Sequence, residues 1–192
     1  MKKYQKSKKN CFLVLIGGCS RTGKSTLAKK LERELKNKNI NSITVKLDNW
    51  LLGIDERSGK ETVSERYNYS EIVKSIRKIM KGEKIFPPIY NPKVRKVTRG
   101  NLTQFKQIDH GICIIDGVIA LDIPDLRNLA DLKIYTDLND EIRKKRLLEF
   151  YNRYKKCSRR ESEEIINARE MEEVPYVKET KVFADFVFYQ ES

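Results

Sequence analysis

The residues best suited to chemistry lie in one short stretch, 18–25. Gly18, Gly23, Lys24 and Ser25 fit the pattern G-x-x-x-x-G-K-[ST]. Glycines in such a loop let backbone N–H groups turn inward around an anion, and the helix that follows adds its positive dipole end. The lysine reaches the β- and γ-phosphates of a nucleotide, and the Ser hydroxyl ligates Mg²⁺. Cys19, Ser20, Arg21 and Thr22 fill the loop and Thr26 follows it, so residues 18–26 are the expected nucleotide-binding segment. Two acids could complete a phosphoryl-transfer site. Asp48 and Asp116 each close a short β-forming run, and in an open α/β sheet ligands collect outside the carboxyl ends of the strands. Asp116 would then join Ser25 at the metal, leaving Asp48 free to take a proton from an attacking hydroxyl. The bland reading of either acid is a helix cap or a solvated rim residue.

The elements that must position these groups follow from hydrophobic periodicity. Phe12 to Ile16 reads as a buried strand entering the loop. Leu27, Leu31 and Leu35 recur at i, i+4 and i+8, which predicts a helix ending at Lys36-Asn-Lys-Asn39. Ser42 to Leu47 is a second strand, followed by an irregular polar stretch over 49–66. Ile72, Val73, Ile76, Ile79 and Met80 make an amphipathic helix that Gly82 stops. Residues 84–100 combine prolines with β-formers and read as a projecting hairpin. Gly111 to Asp116 is a continuous apolar run, the signature of a central parallel strand. Leu132 to Tyr135 is another strand, and a long basic helix starts near Asn139. Ser162 to Met171 is helical, Pro175 should end or kink that helix, and Phe183 to Tyr189 is the last strand. The alternation predicts an α/β fold, a five-stranded, mostly parallel sheet with helices on both faces. One domain over 11–192 is expected, behind a basic, disordered tail at 1–10.

The formal net charge of +13 raises a nucleic-acid partner. Its distribution argues against one. Five lysines fall in residues 1–10, five Lys/Arg in 93–107 without an acid, and nine in 143–160 against Glu149 alone. Together these segments exceed the whole net charge, so the remainder is acidic. Aromatics are not interleaved through the basic runs in a stacking pattern. A single histidine, His110, rules out a multi-histidine metal site, and the four cysteines lack metal-ligand spacing. The basic start followed by Cys11–Gly18 and Cys19 also resembles a lipoprotein signal, but cleavage before Cys19 would destroy the strand and half of the phosphate loop. No other stretch is long and apolar enough to span a membrane, so a cytoplasmic protein is expected.

In order along the chain, these motifs resemble the uridine kinase and phosphoribulokinase family of P-loop kinases, which includes nicotinamide riboside kinases. The resemblance rests on Gly17 to Ser25, Leu47-Asp48-Asn-Trp50, Arg66-Tyr-Asn-Tyr69, Pro88-Ile-Tyr90-Asn91, Ile115-Asp116-Gly117 and Tyr176 to Val187, and covers about residues 11–189. It implies a P-loop NTPase fold with a basic helical lid over about 143–161, ATP and Mg²⁺ as cofactors, and a small-molecule hydroxyl acceptor. It also implies Asp48 as general base, and Asn68, Tyr90, Arg95 and Arg153 with Asp48 at the acceptor. Arg146 and Arg160 would be the lid arginines that meet the transferring phosphate with Lys24. The departures fall on the acceptor side. Asn68 and Asn91 stand where the family has Asp, and Arg95 stands near the place of a base-facing histidine, which favours an acceptor other than uridine. A kinase acting on a nucleotide monophosphate and an NTP-dependent nucleic-acid-binding or regulatory protein remain the alternatives. The oligomeric state, including a homo-oligomer, is left open.

Overall fold

A computed structural model describes residues 11–100, 104–154 and 157–190. The tail expected at 1–10 lies outside the described residues, as do Lys155 and Lys156 of the expected lid. Along the chain run β1 (Cys11–Gly17), α1 (Lys24–Lys36), β2 (Ser42–Lys46), α2 (Tyr69–Met80), β3 (Ile89–Asn91), β4 (Lys96–Thr98), β5 (Gly111–Asp116), α3 (Pro124–Leu129), β6 (Leu132–Asp137), α4 (Asp140–Tyr154), α5 (Arg159–Glu179) and β7 (Phe186–Tyr189).

Strand β1 is buried along its whole length because apolar layers cover both faces of the sheet. Successive side chains point to opposite faces. Leu13 and Leu15 therefore join one apolar cluster, while Phe12, Val14 and Ile16 meet Leu27, Ala28 and Leu35 of α1 in the other. Strand β5 divides in the same way, with Cys113 and Ile115 on the first face and Ile112 and Ile114 on the second. Full burial of a Leu or Ile side chain contributes roughly 1.5–3 kcal/mol, so these two strands are the least replaceable part of the core.

The sheet order is β2-β5-β1-β6-β7. Every pairing in it is parallel, so the sheet is wholly rather than mostly parallel. The chain leaves β1 for β2 on one side and β5 for β6 on the other. This reversal beside the end of β1 is where an open α/β sheet forms its ligand crevice. The hairpin is antiparallel, from Ile89↔Thr98 to Asn91↔Lys96, with Arg95 in the left-handed region at φ 56°.

Helix α5 does not end at Pro175 but continues to Glu179. An interior proline costs about 3 kcal/mol, and buried anchors on both sides hold the last turns in place. Val174 and Val177 are buried, and Tyr176 Oη donates to Asp122 at 2.5 Å. Helix α4 is fixed to α5 by buried Arg143, which binds Asp140 at 3.2 Å and Glu170 at 2.5 Å. Leu147, Tyr151 and Ile166 pack beneath that contact.

Candidate active site

The phosphate loop is held in shape by its own side chains. Thr22 Oγ1 donates to the Cys19 carbonyl at 2.8 Å and shares a 2.7 Å hydrogen bond with Thr136 Oγ1 on β6. Lys24 Nζ donates to the same Cys19 carbonyl at 2.8 Å, curling over the loop. Gly18 sits at φ 132°, and a Cβ there would stand 2.4 Å from the Thr136 carbonyl oxygen, so only glycine fits. Gly23, at φ 91°, turns the chain into α1, whose first turn presents its N–H groups to the loop. Burial lowers the Lys24 pKa, while Asp116, Asp48 and Glu173 pull it back up.

Ser25 Oγ donates to Asp116 Oδ2 at 2.5 Å. This hydroxyl–carboxylate pair is a hard oxygen donor set. Among the described residues there is no cluster of three His, Cys, Asp or Glu side chains that could hold a metal. The pair fits Mg²⁺, which takes one or two protein oxygens and fills its remaining positions with water and phosphate oxygens.

Asp48 lies on a 3₁₀ turn, Leu47–Trp50, that begins where β2 ends. Leu47 and Trp50 plug the core and leave Asp48 projecting into the cleft. Its carboxylate is open to solvent yet ringed by the cleft walls. That enclosure raises its pKa, with Lys24 opposing the shift and the charges of Asp116 and Glu173 adding to it. The cleft measures about 730 Å³ and is lined by the phosphate loop, Asp48, Asp116, Tyr90, Arg146 and Arg153, among others. Arg146 Nη1 donates to Gln190 Oε1 at 3.2 Å, and the Arg21 guanidinium stacks 3.7 Å over the Phe150 ring.

Three expected site residues stand elsewhere. Asn68 is the N-cap of α2, where its Oδ1 accepts the Glu71 N–H at 3.1 Å and the Ser70 hydroxyl at 3.0 Å. An Asn before a first helical turn is well suited to that use. Arg95 is an exposed turn residue of the hairpin, and its carbonyl accepts the Ile54 N–H at 2.8 Å. Arg160 points to solvent, with its side chain 90% exposed and paired to Glu164 one turn on at 3.1 Å.

Sequence reasoning missed Arg169, Glu173 and Tyr67. Arg169 lines the cleft, and Glu173 is a buried acid that accepts the Ser20 hydroxyl at 2.8 Å. Burial drives the Tyr67 phenol pKa well above its ordinary value, with the charge of Asp48 adding to the shift. Tyr67 is one residue before the Asn68 singled out in the sequence. Arg169 and Glu173 carry only an i, i+4 charge spacing, which is also the signature of a solvated helix face.

A family profile described as an AAA domain (AAA_18) matches residues 14–167. A uridine kinase of Leuconostoc citreum is 28% identical over 148 residues, covering 72% of this chain and 67% of that protein. A uridine kinase of Brevibacillus brevis is 27% identical over 141 residues, covering 70% of this chain and 63% of the relative. The matched region thus spans about two thirds of these relatives' own length. Among solved structures, a protein from Silicibacter sp. TM1040 described as a fructose transport system kinase superposes with a TM-score of 0.79 at 14% identity, covering 97% of this chain and 94% of the other. D-glycerate 3-kinase from Cryptococcus neoformans superposes at 0.60 with 12% identity, covering 86% of this chain and 80% of that one. At such identities the structural likeness is one of fold.

Proposed function

The chain belongs to the family of AAA domains, and on that premise we propose that it is an ATP-dependent kinase that phosphorylates a hydroxyl group of a small molecule, a nucleoside or related sugar. The observation that carries this reading is Asp48, a carboxylate facing Lys24 and the phosphate loop across one cleft. A loop that only binds a nucleotide has no need of a second acid across the cleft, whereas a nucleophile that must lose a proton does. The uridine kinases among the relatives support a nucleoside-like acceptor.

In this reading the amides of residues 18–26 cradle the phosphates of ATP, and Lys24 leaves the Cys19 carbonyl for the β- and γ-phosphate oxygens. Ser25 and Asp116 would hold Mg²⁺, which when bound would neutralise charge on the phosphate oxygens. Asp48 accepts the proton of the acceptor hydroxyl as its oxygen meets the γ-phosphorus, a role worth roughly 10²–10⁴-fold in rate. Tyr90 lines the same cleft, and Arg146 and Arg153 of α4 face it from the lid side. A nucleotide monophosphate kinase would share the loop and the basic lid. Its acceptor is already an anion at neutral pH and has no proton for Asp48 to take.

The test is ADP release by purified protein with MgATP over nucleosides, pentose phosphates, pantothenate and nicotinamide riboside. Acceptor-dependent ADP release with a matching phosphomonoester supports the reading. ADP release that no hydroxyl compound stimulates overturns it.

A further inference from the structure

We propose that Arg169, projecting from the middle of helix α5 between the phosphate loop and Asp48, is the arginine that meets the phosphoryl group in transit. The inference rests on the kinase reading above and assigns a residue that the sequence motifs do not mark. Arg169 lines the same cleft as Lys24, Ser25 and Asp48, and its side chain is 39% exposed. It is tied to the loop that would hold the terminal phosphate. Nη1 stands 3.5 Å from Ser20 Oγ and 3.5 Å from Glu173 Oε2, and the guanidinium lies 5.9 Å from the Tyr151 ring centre. Glu173 in turn takes the Ser20 hydroxyl at 2.8 Å, so one buried acid positions both the loop serine and the arginine.

These contacts orient Arg169 without exhausting it. A guanidinium has five N–H donors in a fixed fork, and both of its polar contacts here are long. Donors remain for phosphoryl oxygens, with the paired geometry that makes arginine suited to them. The charge of Arg169 also lowers the pKa of Asp48, so the group that would stabilise the moving phosphoryl also favours the ionised base. The other candidates are less well placed. Arg160 faces solvent in an ion pair with Glu164, while Arg146 and Arg153 line the cleft from α4, where Arg146 bonds Gln190 rather than a side chain of the phosphate loop.

In the step itself the bond between the γ-phosphorus and the bridging oxygen of ATP breaks. A bond from the acceptor oxygen to that phosphorus forms, the acceptor proton passes to Asp48, and ADP leaves with the electron pair. Negative charge spreads over the three non-bridging oxygens of the moving group, where Arg169 would act most strongly.

The experiment needs no acceptor, so it separates this proposal from the kinase reading. Calorimetry would compare MgADP with MgADP plus aluminium fluoride, a mimic of the phosphoryl group in flight, on wild type and on Arg169→Gln, Arg169→Lys and Arg160→Ala. Wild type and Arg160→Ala should bind the mimic more tightly than MgADP alone. Arg169→Gln should lose on the order of 10²–10³-fold of that gain with MgADP affinity unchanged. Should Arg169→Gln also lose MgADP binding, Arg169→Lys decides, with at least tenfold of the gain lost at unchanged MgADP affinity. A full gain in the deciding Arg169 variant, or an equal loss in Arg160→Ala, overturns the proposal. If the proposal holds and no acceptor is ever phosphorylated, the kinase reading fails and the assignment of Arg169 as a γ-phosphate contact survives.

Discussion

Ser25 donates its hydroxyl to Asp116 at 2.5 Å, tying the first turn of α1 to the last residue of β5. The parallel register brings the two segments together. Ile16 lies opposite Asp116, so the acid stands one strand away from the loop that leaves β1. Ser25→Ala and Asp116→Asn should each raise the Mg²⁺ concentration for half-maximal ADP release by roughly 10-fold or more. A Mg²⁺ titration checks this, and an unchanged midpoint in both variants would remove the pair from the metal site.

Asp48 should leave its mark on the pH profile. Enclosure holds its pKa above the ordinary carboxylate value of about 3.9. The base works only when ionised, so turnover should fall as pH drops through that raised pKa, at a higher pH than an unperturbed Asp would give. Because the charge of Arg169 lowers this pKa, Arg169→Gln should move the acid limb of kcat to higher pH. A merely structural arginine would lower kcat without moving the limb.

Asn68 separates a helix cap from an acceptor contact. Loss of its bonds to Glu71 and Ser70 in Asn68→Ala should destabilise the fold by about 1 kcal/mol. The KM for the acceptor should stay where it is. Urea unfolding and steady-state kinetics read the two effects, and a raised KM at unchanged stability would return Asn68 to the acceptor site.

Gly18→Ala tests the shape of the loop. The new Cβ would meet the Thr136 carbonyl at 2.4 Å in a backbone region that alanine rarely enters. Relief of that contact displaces the loop amides, so MgADP affinity should drop by more than tenfold as strain of about 1–3 kcal/mol is released. Calorimetric MgADP binding equal to wild type would contradict the close approach.

The parts of the molecule that could be read from sequence are those whose signal is local. The phosphate loop is a run of consecutive residues, and β1 and β5 are continuous apolar runs because apolar layers bury both of their faces. The arginines were harder for a physical reason. Arg159, Arg160 and Arg169 each pair with a glutamate one turn on along the same helix, at 2.9, 3.1 and 3.5 Å. Spacing alone does not distinguish these three pairs. Which one turns inward depends on how α5 is rotated against α4, and the buried Arg143–Glu170 contact, next to Arg169 in the chain, sets that rotation. Asn68 was ambiguous for a similar reason, because a polar residue ahead of a helix serves equally as a cap or a ligand contact. The helix runs on past Pro175 because Val174, Tyr176 and Val177 anchor the turns around it, and the sequence carries the cost of an interior proline but not those tertiary contacts.

The central claim, that Asp48 deprotonates an acceptor while the phosphate loop holds ATP, is tested most directly by one pair of assays on Asp48→Asn. Acceptor-dependent formation of the phosphomonoester, followed by ³¹P NMR, should fall at least 10²-fold, while calorimetric MgATP affinity remains within a few-fold of wild type. Product formation at the wild-type rate in Asp48→Asn would contradict the account.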